Sequence, residues 1–421
     1  MNAINVIPTR HRNELRAIAR RSREAILLAA IVGAVTGAGV ALGEWVVVDG
    51  MLAGAARLPW WVQSWLPLVG LAVAAVVLRV GGRLSPGSAD EYIVAFHGDR
   101  DLPARAVPFR LLATAASVGA GAPGGLEGGS VFLGASIGAA FQRRFRSVLG
   151  SADLHSLMVA GAAAGVAAIF KAPATGAVFA IEVPYRDDLG RRLLVPALVG
   201  AATGYLSFVA VHGTEPLLRV VGEAPFDLTD LLGAAVLGVG VGIVVRGWAR
   251  AIRAAKAFQV RHPAWRSVLV GGTVIGVAAT VSHLVIGGSL GLTPGYNAIE
   301  WAADPRRGLA LVALLVAVRM AGTVGTLAGG GVVGLFLPLV VVGALLGRLV
   351  GGGIGASNLT LFVILGVAAG LGAGYRVPLA AVMFIAEATG RPGWVVPGLL
   401  AAVGADLVMG DASVTPYQRA A

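Results

Sequence analysis

The stretch Gly121-Ala-Pro-Gly-Gly-Leu-Glu-Gly-Gly-Ser-Val-Phe-Leu-Gly-Ala-Ser-Ile-Gly138 places one carboxylate, that of Glu127, among glycines inside a strongly apolar chain. Clustered glycines leave backbone N–H groups uncovered, and the apolar residues 131–140 predict a helix whose positive end points back at Glu127. An ionisable side chain at membrane depth is costly, so it is a candidate functional group that faces a cavity or a pathway. The stretch predicts an anion site at a helix N-terminus. The structural alternative is that Glu127 caps a helix or lies in a loop outside the bilayer.

The composition is that of a membrane protein with several spans. Of the 421 residues, 57% are hydrophobic and 13% are charged, and the mean hydropathy is +0.81, far outside the range of soluble globular proteins. The 62 glycines suit close helix packing in lipid and broken helices at ion sites. The chain has no cysteine, which excludes disulfides, thiolate metal sites and a cysteine nucleophile.

The net charge of +11 comes mainly from arginines in short polar segments. The positive-inside rule makes these segments candidates for the cytoplasmic side, and it accounts for the charge without nucleic-acid binding. They cover residues 10–23, 143–146, 186–192, 246–266 and 306–307. Because the first segment lacks a long apolar run, residues 1–24 are predicted to form an amphipathic helix on the inner face and not a cleaved signal.

Apolar segments divide the chain into two membrane halves. We predict a first repeat over residues 25–212, a second repeat over residues 226–409 and a C-terminal segment over residues 410–421. In the first half, Pro173 divides the apolar residues 157–183 into two pieces that are each too short to span a bilayer. Broken helices of this kind mark binding sites in transporters.

The two halves share an internal repeat. A proline, a phenylalanine and a glutamate recur at one offset (378 − 173 = 205): Pro173, Phe179 and Glu182 against Pro378, Phe384 and Glu387. Lys171 and Arg376 also correspond. We expect both repeated glutamates to be structural, either paired with these two basic side chains or bonded to backbone amides.

The same offset carries the glycines of the opening stretch onto a second glycine-rich stretch, residues 328–338. Gly124, Gly125 and Gly129 would correspond to Gly329, Gly330 and Gly334. Each half therefore contributes one glycine-rich helix start. In transporters built from two repeats, such N-termini point at an anion near the repeat interface, so we expect the two starts to converge.

These motifs resemble those of the CLC family of chloride channels and chloride/proton antiporters. Gly125-Leu-Glu127-Gly-Gly129 is similar to the family's G-x-E-G-P signature, and Gly334-Leu-Phe336-Leu-Pro338 is similar to its G-x-F-x-P signature. The resemblance covers nearly the whole chain. It implies an all-α polytopic membrane protein with a CLC-like inverted repeat and broken, re-entrant helices. It also implies a homodimer with one anion pathway per subunit, of the bacterial type without a C-terminal cytoplasmic domain, in a bacterial inner (plasma) membrane.

The resemblance also implies roles for particular residues. Glu127 would be the gating glutamate, whose carboxylate occupies an anion position when ionised and swings away when protonated. The backbone N–H groups of Gly128, Gly129, Leu335 and Phe336 would bind the anion.

Three further positions depart from the family pattern. Ser88 lies where the family has a G-S-G-x-P motif with a serine facing the central anion, but this chain reads Pro86-Gly-Ser-Ala-Asp90. The family's inner tyrosine, near the inner end of the pathway, falls on Thr415 in an ungapped match and on Tyr417 after a two-residue slip; the ungapped match is preferred. Val183 occupies the position of the antiporters' internal proton-accepting glutamate.

The resulting hypothesis is transmembrane movement of chloride or a similar monovalent anion between helix N-termini, gated by Glu127. It is more channel-like than coupled, because the valine at position 183 cannot take up a proton. A chloride/proton antiporter and a fluoride-selective relative are the alternatives. An intramembrane enzyme is a remote one, because the six histidines are scattered without metal-ligand spacing. The expected partners are the anion, protons in the coupled alternative, the lipid bilayer and a second copy of the chain. No cofactor, metal or nucleic acid is expected.

Overall fold

The computed structural model describes residues 9–87, 89–98, 102–145, 155–218 and 226–420, with side chains from residue 23 onward. Within these ranges the chain forms sixteen α-helices of eight residues or more, joined by short turns. In chain order they are α1 (Thr9–Glu44), α2 (Trp60–Val80), α3 (Ala89–Phe96), α4 (Val107–Gly119), α5 (Glu127–Arg144), α6 (Ser156–Phe170), α7 (Pro173–Glu182), α8 (Leu194–His212), α9 (Leu228–Arg261), α10 (Ala264–Val281), α11 (Tyr296–Ala303), α12 (Leu309–Ala328), α13 (Phe336–Gly353), α14 (Leu359–Tyr375), α15 (Pro378–Thr389) and α16 (Val395–Met409).

Each helix of the first half has a counterpart eight places later in the chain. The longest helices, α1 and α9, contain 36 and 34 residues, and the shortest, α3 and α11, contain eight residues each. Eight of the described helices are long and apolar enough to cross a membrane. The shorter apolar helices include α6, α14 and α15. The all-α polytopic architecture with an internal repeat is therefore confirmed.

The N-terminal part is one continuous helix. Residues of the predicted amphipathic helix, from Thr9 onward, continue directly into the first span as α1, and a π-helical turn follows at Trp45–Leu52. Residues 1–8 and the side chains up to residue 22 lie outside the described part of the chain. The amphipathic character of residues 1–24 therefore stays a prediction.

The predicted break before Pro173 is present and recurs in the second half. α6 ends before Lys171, which is left-handed (φ 51°), and Pro173 is the first residue of α7. α14 likewise ends before Arg376 (φ 55°), and Pro378 begins α15. Proline fits a first helical position because its missing N–H would have no helical acceptor there.

The repeated glutamates cross-link the two halves through backbone amides. The Glu182 carboxylate, at the end of α7, accepts hydrogen bonds from the N–H groups of Leu379 and Ala380 at 3.0 and 2.9 Å. The Glu387 carboxylate, in α15, accepts from the N–H groups of Ala174 and Thr175, both at 2.8 Å, and from the threonine hydroxyl at 2.7 Å. Each glutamate thus caps the proline-led helix of the other half.

The two basic residues of the repeat have other partners. The Lys171 ammonium donates to the carbonyl of His212 at 3.0 Å. The Arg376 guanidinium pairs with Asp187 at 2.8 Å and lies 3.7 Å from Asp406. Of the two structural interpretations of Glu182 and Glu387, amide bonding is therefore the one that the structure shows.

The glycine stretches correspond at a different offset from the prolines. α5 begins at Glu127 and α13 at Phe336 (336 − 127 = 209), and an antiparallel bridge joins Gly125 to Gly334 through N···O distances of 3.2 and 2.8 Å. The expected match of Gly125 with Gly330 is therefore wrong. The first half has four more residues between its glycine-led helix start and its left-handed residue (171 − 127 = 44, 376 − 336 = 40).

Candidate functional site

The carboxylate of Glu127 lies at the N-terminus of a helix from the opposite half. Glu127 is the first residue of α5 and is only 4% exposed. Its Oε1 accepts a hydrogen bond from the backbone N–H of Leu337 at 2.9 Å, and the carboxylate also lies against the N–H of Phe336 and its own N–H. Amides at a helix start attract anions, because they have no helical acceptor and carry the positive end of the helix dipole.

Two glycines provide the space for this carboxylate. A Cβ atom built on Gly125 or on Gly334 would collide with the side chain of Glu127, which fills the gap between them. Because these two residues are also the bridged pair of the glycine turns, the backbone of both halves closes directly around the carboxylate. The sequence pattern G-x-E and G-x-F is therefore a steric requirement of this arrangement.

The predicted anion-binding amides lie on the same two helix starts. Gly128 and Gly129 are buried in the first turn of α5. Leu335 is the N-cap of α13 and Phe336 is its first residue, and both are buried. The glycine turns that lead into α5 and α13 are bridged to each other, so the two helix starts lie close together. Their role in anion binding stays a prediction.

An aromatic cluster packs around Phe336. Its ring stacks on that of Phe170 with centroids 4.1 Å apart, and it makes edge contacts with Phe384 at 5.1 Å and Phe179 at 5.5 Å. Packed rings exclude water, and charges and amide dipoles interact more strongly where water is excluded. The cluster also fixes the backbone from which the amides of the helix start project.

A cavity of about 330 Å³ lies beside Leu335, the N-cap of α13. Leu335 and Tyr375 border it, together with Asp90, Lys256 and Tyr417. Its wall carries charge of both signs, since the Lys256 ammonium lies 2.6 Å from the Asp90 carboxylate. Lys256 belongs to the arginine-rich segment of α9, which the positive-inside rule predicts to be cytoplasmic, so we call this cavity the inner cavity.

Of the remaining predicted positions that the structure describes, one borders this cavity. Ser88 lies outside the described residues. Thr415 is buried, with its hydroxyl oxygen 3.5 Å from the Tyr417 N–H, and it is not among the residues that border the cavity. Tyr417 borders the cavity and is half exposed. Val183 is buried, and its carbonyl accepts a hydrogen bond from Gln418 at 3.0 Å.

Two residues of the site are absent from the sequence-based prediction. The Leu337 amide, which binds Glu127, is the second N–H of α13, and the general rule that the first turn of a helix has free N–H groups would have included it. Tyr375 borders the inner cavity and lies outside the two glycine-rich signatures. Its only signal is its place in the repeat, directly before Arg376 as Phe170 is directly before Lys171.

The fold and the site together define a class: a polytopic membrane protein in which two repeats enclose a carboxylate that is bonded to a backbone amide at a helix start. The voltage gated chloride channel family model matches residues 69–410. The chain therefore belongs to this family, and it is a CLC-type anion transporter or channel.

Curated relatives span almost the full length of the chain. The chain is 29% identical over 371 residues to a putative chloride channel protein ClcB-like from Ralstonia nicotianae, covering 84% of each. It is 26% identical over 442 aligned positions to the H(+)/Cl(-) exchange transporter ClcA of Salmonella paratyphi B, covering 96% of this chain and 90% of the relative.

Solved structures share the fold at lower identity. A CLC-type fluoride/proton antiporter superposes with a TM-score of 0.82 at 21% identity, covering 95% of this chain and 98% of that one. A slow cyanobacterial Cl-/H+ antiporter gives a TM-score of 0.79 at 22% identity, with coverage of 91% and 94%. Together with the family match, these likenesses confirm the CLC-like fold.

Proposed function

We propose that the protein exchanges a monovalent anion, chloride in the first instance, for protons across the membrane, with Glu127 as the residue that couples the two movements. The observation that carries this proposal is the hydrogen bond from the Leu337 amide to the Glu127 carboxylate. A helix start that holds a carboxylate can equally hold a free anion, but the two cannot occupy the same amides together. Protonation and anion binding at this site are therefore linked.

The proposed mechanism uses partial charges only. With Glu127 ionised, its carboxylate occupies the amides of α13 and closes the path. Protonation removes that charge, the side chain leaves the gap between Gly125 and Gly334, and an anion from the inner cavity replaces it. Each helix end carries about half a unit of positive charge. This charge is large enough to replace the hydration of the anion and small enough to let the anion leave.

The relatives favour exchange over the channel that the sequence indicates. Several curated relatives are named H(+)/Cl(-) exchange transporters. A passive channel is the second candidate, because Val183 is a buried valine where the antiporters have a proton-accepting glutamate, and one relative is named a putative chloride channel. In the exchange proposal, protons from the inner side reach Glu127 through water in the inner cavity.

A reversal-potential measurement separates these two functions. The protein is reconstituted into liposomes with opposed chloride and proton gradients. For exchange, we expect the reversal potential to depend on both gradients, and an inward chloride gradient to drive protons uphill. A reversal potential that follows chloride alone at every pH gradient contradicts exchange and leaves the channel.

Selectivity is tested in the same vesicles. The fluoride/proton antiporter shares only the fold with this chain, so we propose chloride as the main anion and fluoride as the alternative. Release of chloride, fluoride and nitrate from loaded vesicles ranks the three. Fluoride release that exceeds chloride release at equal gradients would replace chloride in the proposal.

The remaining assignments follow from the same family membership. We propose a homodimer in a bacterial inner membrane, with one pathway per subunit, no catalytic reaction and no cofactor. We also propose repeats over residues 25–212 and 226–409 and a C-terminal segment, residues 410–421, near the inner end of the path. Mass measurement of the detergent-solubilised protein tests the dimer: a single-chain mass at all protein concentrations contradicts it.

A further inference from the structure

Tyr375, the last residue of α14, brings a hydroxyl-bearing side chain to the wall of the inner cavity. Tyr375 borders the same cavity as Leu335, the N-cap of α13. Tyr375 is 3% exposed and borders the inner cavity. Thr415, in contrast, makes its hydroxyl contact with the backbone of Tyr417 and does not border the cavity. Tyr417 stands at the cavity wall, 48% exposed.

The position of Tyr375 is held on three sides. Its ring makes an edge contact with Phe179 at 5.6 Å, and Phe179 in turn packs on Phe336. Its carbonyl accepts a hydrogen bond from the Gln418 side chain at 2.6 Å. The preceding carbonyl, of Gly374, accepts from the backbone of the C-terminal segment at 3.0 Å. A side chain fixed in this way presents its hydroxyl with little loss of conformational entropy.

The Tyr375 phenol has a proton to donate, and its side chain borders the cavity beside the first amides of α13. We propose that Tyr375 is an anion-binding residue: its O–H donates to the anion as the anion enters from the inner cavity, next to the Leu335 amide. The hydroxyl that the family resemblance places in the C-terminal segment is thus supplied by the end of α14. This inference rests on the proposed anion transport and specifies which side chain binds the anion.

The test is Tyr375→Phe, which removes the hydroxyl and keeps the ring. The fold accepts a phenyl ring at this place, because the corresponding residue of the first half is Phe170. Chloride and thiocyanate binding to the purified protein are measured by titration calorimetry, with Tyr417→Phe and Thr415→Val as matched controls. Hydrogen bonds to a charged partner are strong, so we expect chloride affinity to fall about tenfold in Tyr375→Phe and by less than about twofold in the controls.

The second anion separates direct binding from a structural effect. Thiocyanate accepts weaker hydrogen bonds than chloride, so its affinity in Tyr375→Phe is expected to fall less, and the chloride/thiocyanate ratio should drop several-fold. Equal losses for both anions, or a loss confined to Thr415→Val or Tyr417→Phe, would overturn the assignment of Tyr375. Wild-type protein that binds no anion and releases none from vesicles would instead refute the proposed function itself.

Discussion

The two glycine turns have the same backbone course but carry different side chains at equivalent positions. In the first half the helix after the turn begins with Glu127, and in the second half it begins with Phe336. The carboxylate crosses to the amides of the second half, whereas the phenyl ring packs into the aromatic cluster. The duplicated scaffold thus supplies two converging helix starts, and the difference in one side chain provides a movable charge on one of them.

A second pair of equivalent residues, Glu182 and Glu387, carries a carboxylate in both halves. Glu182 and Glu387 both cap helices of the opposite half, and each accepts two backbone hydrogen bonds. Glu127 is bonded in the same way, but among the described residues the Leu337 amide is its single donor at hydrogen-bond distance, and Leu335, two residues before that donor, borders the inner cavity. We therefore expect the symmetric pair to be structural and the unmatched glutamate to move.

The largest expected effect comes from removing the unmatched charge. In Glu127→Gln the side chain keeps its shape but loses its ionisable group, so chloride flux should be nearly equal at neutral and acid pH, and proton movement should fall to the level of empty vesicles. In the wild type, flux should increase as the pH falls, because protonation frees the amides. Parallel chloride-electrode and pH-electrode recordings on proteoliposomes measure both.

The matched control alters the equivalent residue of the other half. Phe336→Leu disturbs the aromatic cluster but leaves the carboxylate in place, so its flux should change in size and keep its pH dependence. If the pH dependence persists in Glu127→Gln, or disappears in Phe336→Leu, the functional difference between the two helix starts is not the one described.

The next largest effect is on stability. Glu182→Ala leaves two buried backbone N–H groups without an acceptor and should lower the free energy of unfolding by about 2–4 kcal/mol. Glu387→Ala should cost about 1–3 kcal/mol, because that carboxylate is only part-buried. Thermal unfolding in detergent measures both. The variants Glu182→Gln and Glu387→Gln keep an acceptor oxygen and should recover about half of each loss, so a Gln variant as unstable as its Ala counterpart contradicts the capping role.

Local signals in the sequence account for what could be predicted of the fold and the site. Hydropathy gives the membrane class, Pro173 gives the broken helix, and the glycines around Glu127 give an N-terminal position in a helix. Each of these depends on residues close together in the chain. The internal repeat adds one long-range relation, the pairing of the two halves.

The shift of the glycine turns and the long-range partners in the site are not predictable from the sequence. They depend on the number of residues between elements and on how the helices pack. Four extra residues in the first half shift the glycine turns relative to the prolines, and no local pattern reveals such a shift. The partner of Glu127, the Leu337 amide, is 210 positions away, and Tyr375 borders the same cavity as Leu335 only because α14 ends beside α13. From the sequence, the family resemblance therefore predicts the inner hydroxyl in the C-terminal segment, on Thr415 or Tyr417.

A moderate effect is expected from filling the space between the two turns. Gly334→Ala places a methyl group against the Glu127 side chain and should cost about 1–3 kcal/mol as an overpacking substitution. All three atoms nearest to the new Cβ belong to Glu127, so most of this cost should disappear in a Glu127→Ala background. A double-mutant cycle in thermal unfolding measures the coupling. Costs that simply add would show that the glycine is required for another contact.

The smallest effect concerns the left-handed residues that precede the prolines. A non-glycine residue with this backbone costs about 1 kcal/mol, so glycine removes strain at Lys171 and at Arg376 alike. Lys171→Gly also loses one hydrogen bond to a carbonyl, and its net effect should lie within about 0.5 kcal/mol of zero. Arg376→Gly also loses contacts with two carboxylates, one of them largely exposed, and should destabilise by about 1 kcal/mol. Equal shifts in thermal unfolding for the two variants would contradict this prediction. They would show that the side-chain partners of Lys171 and Arg376 do not make the two positions differ in stability.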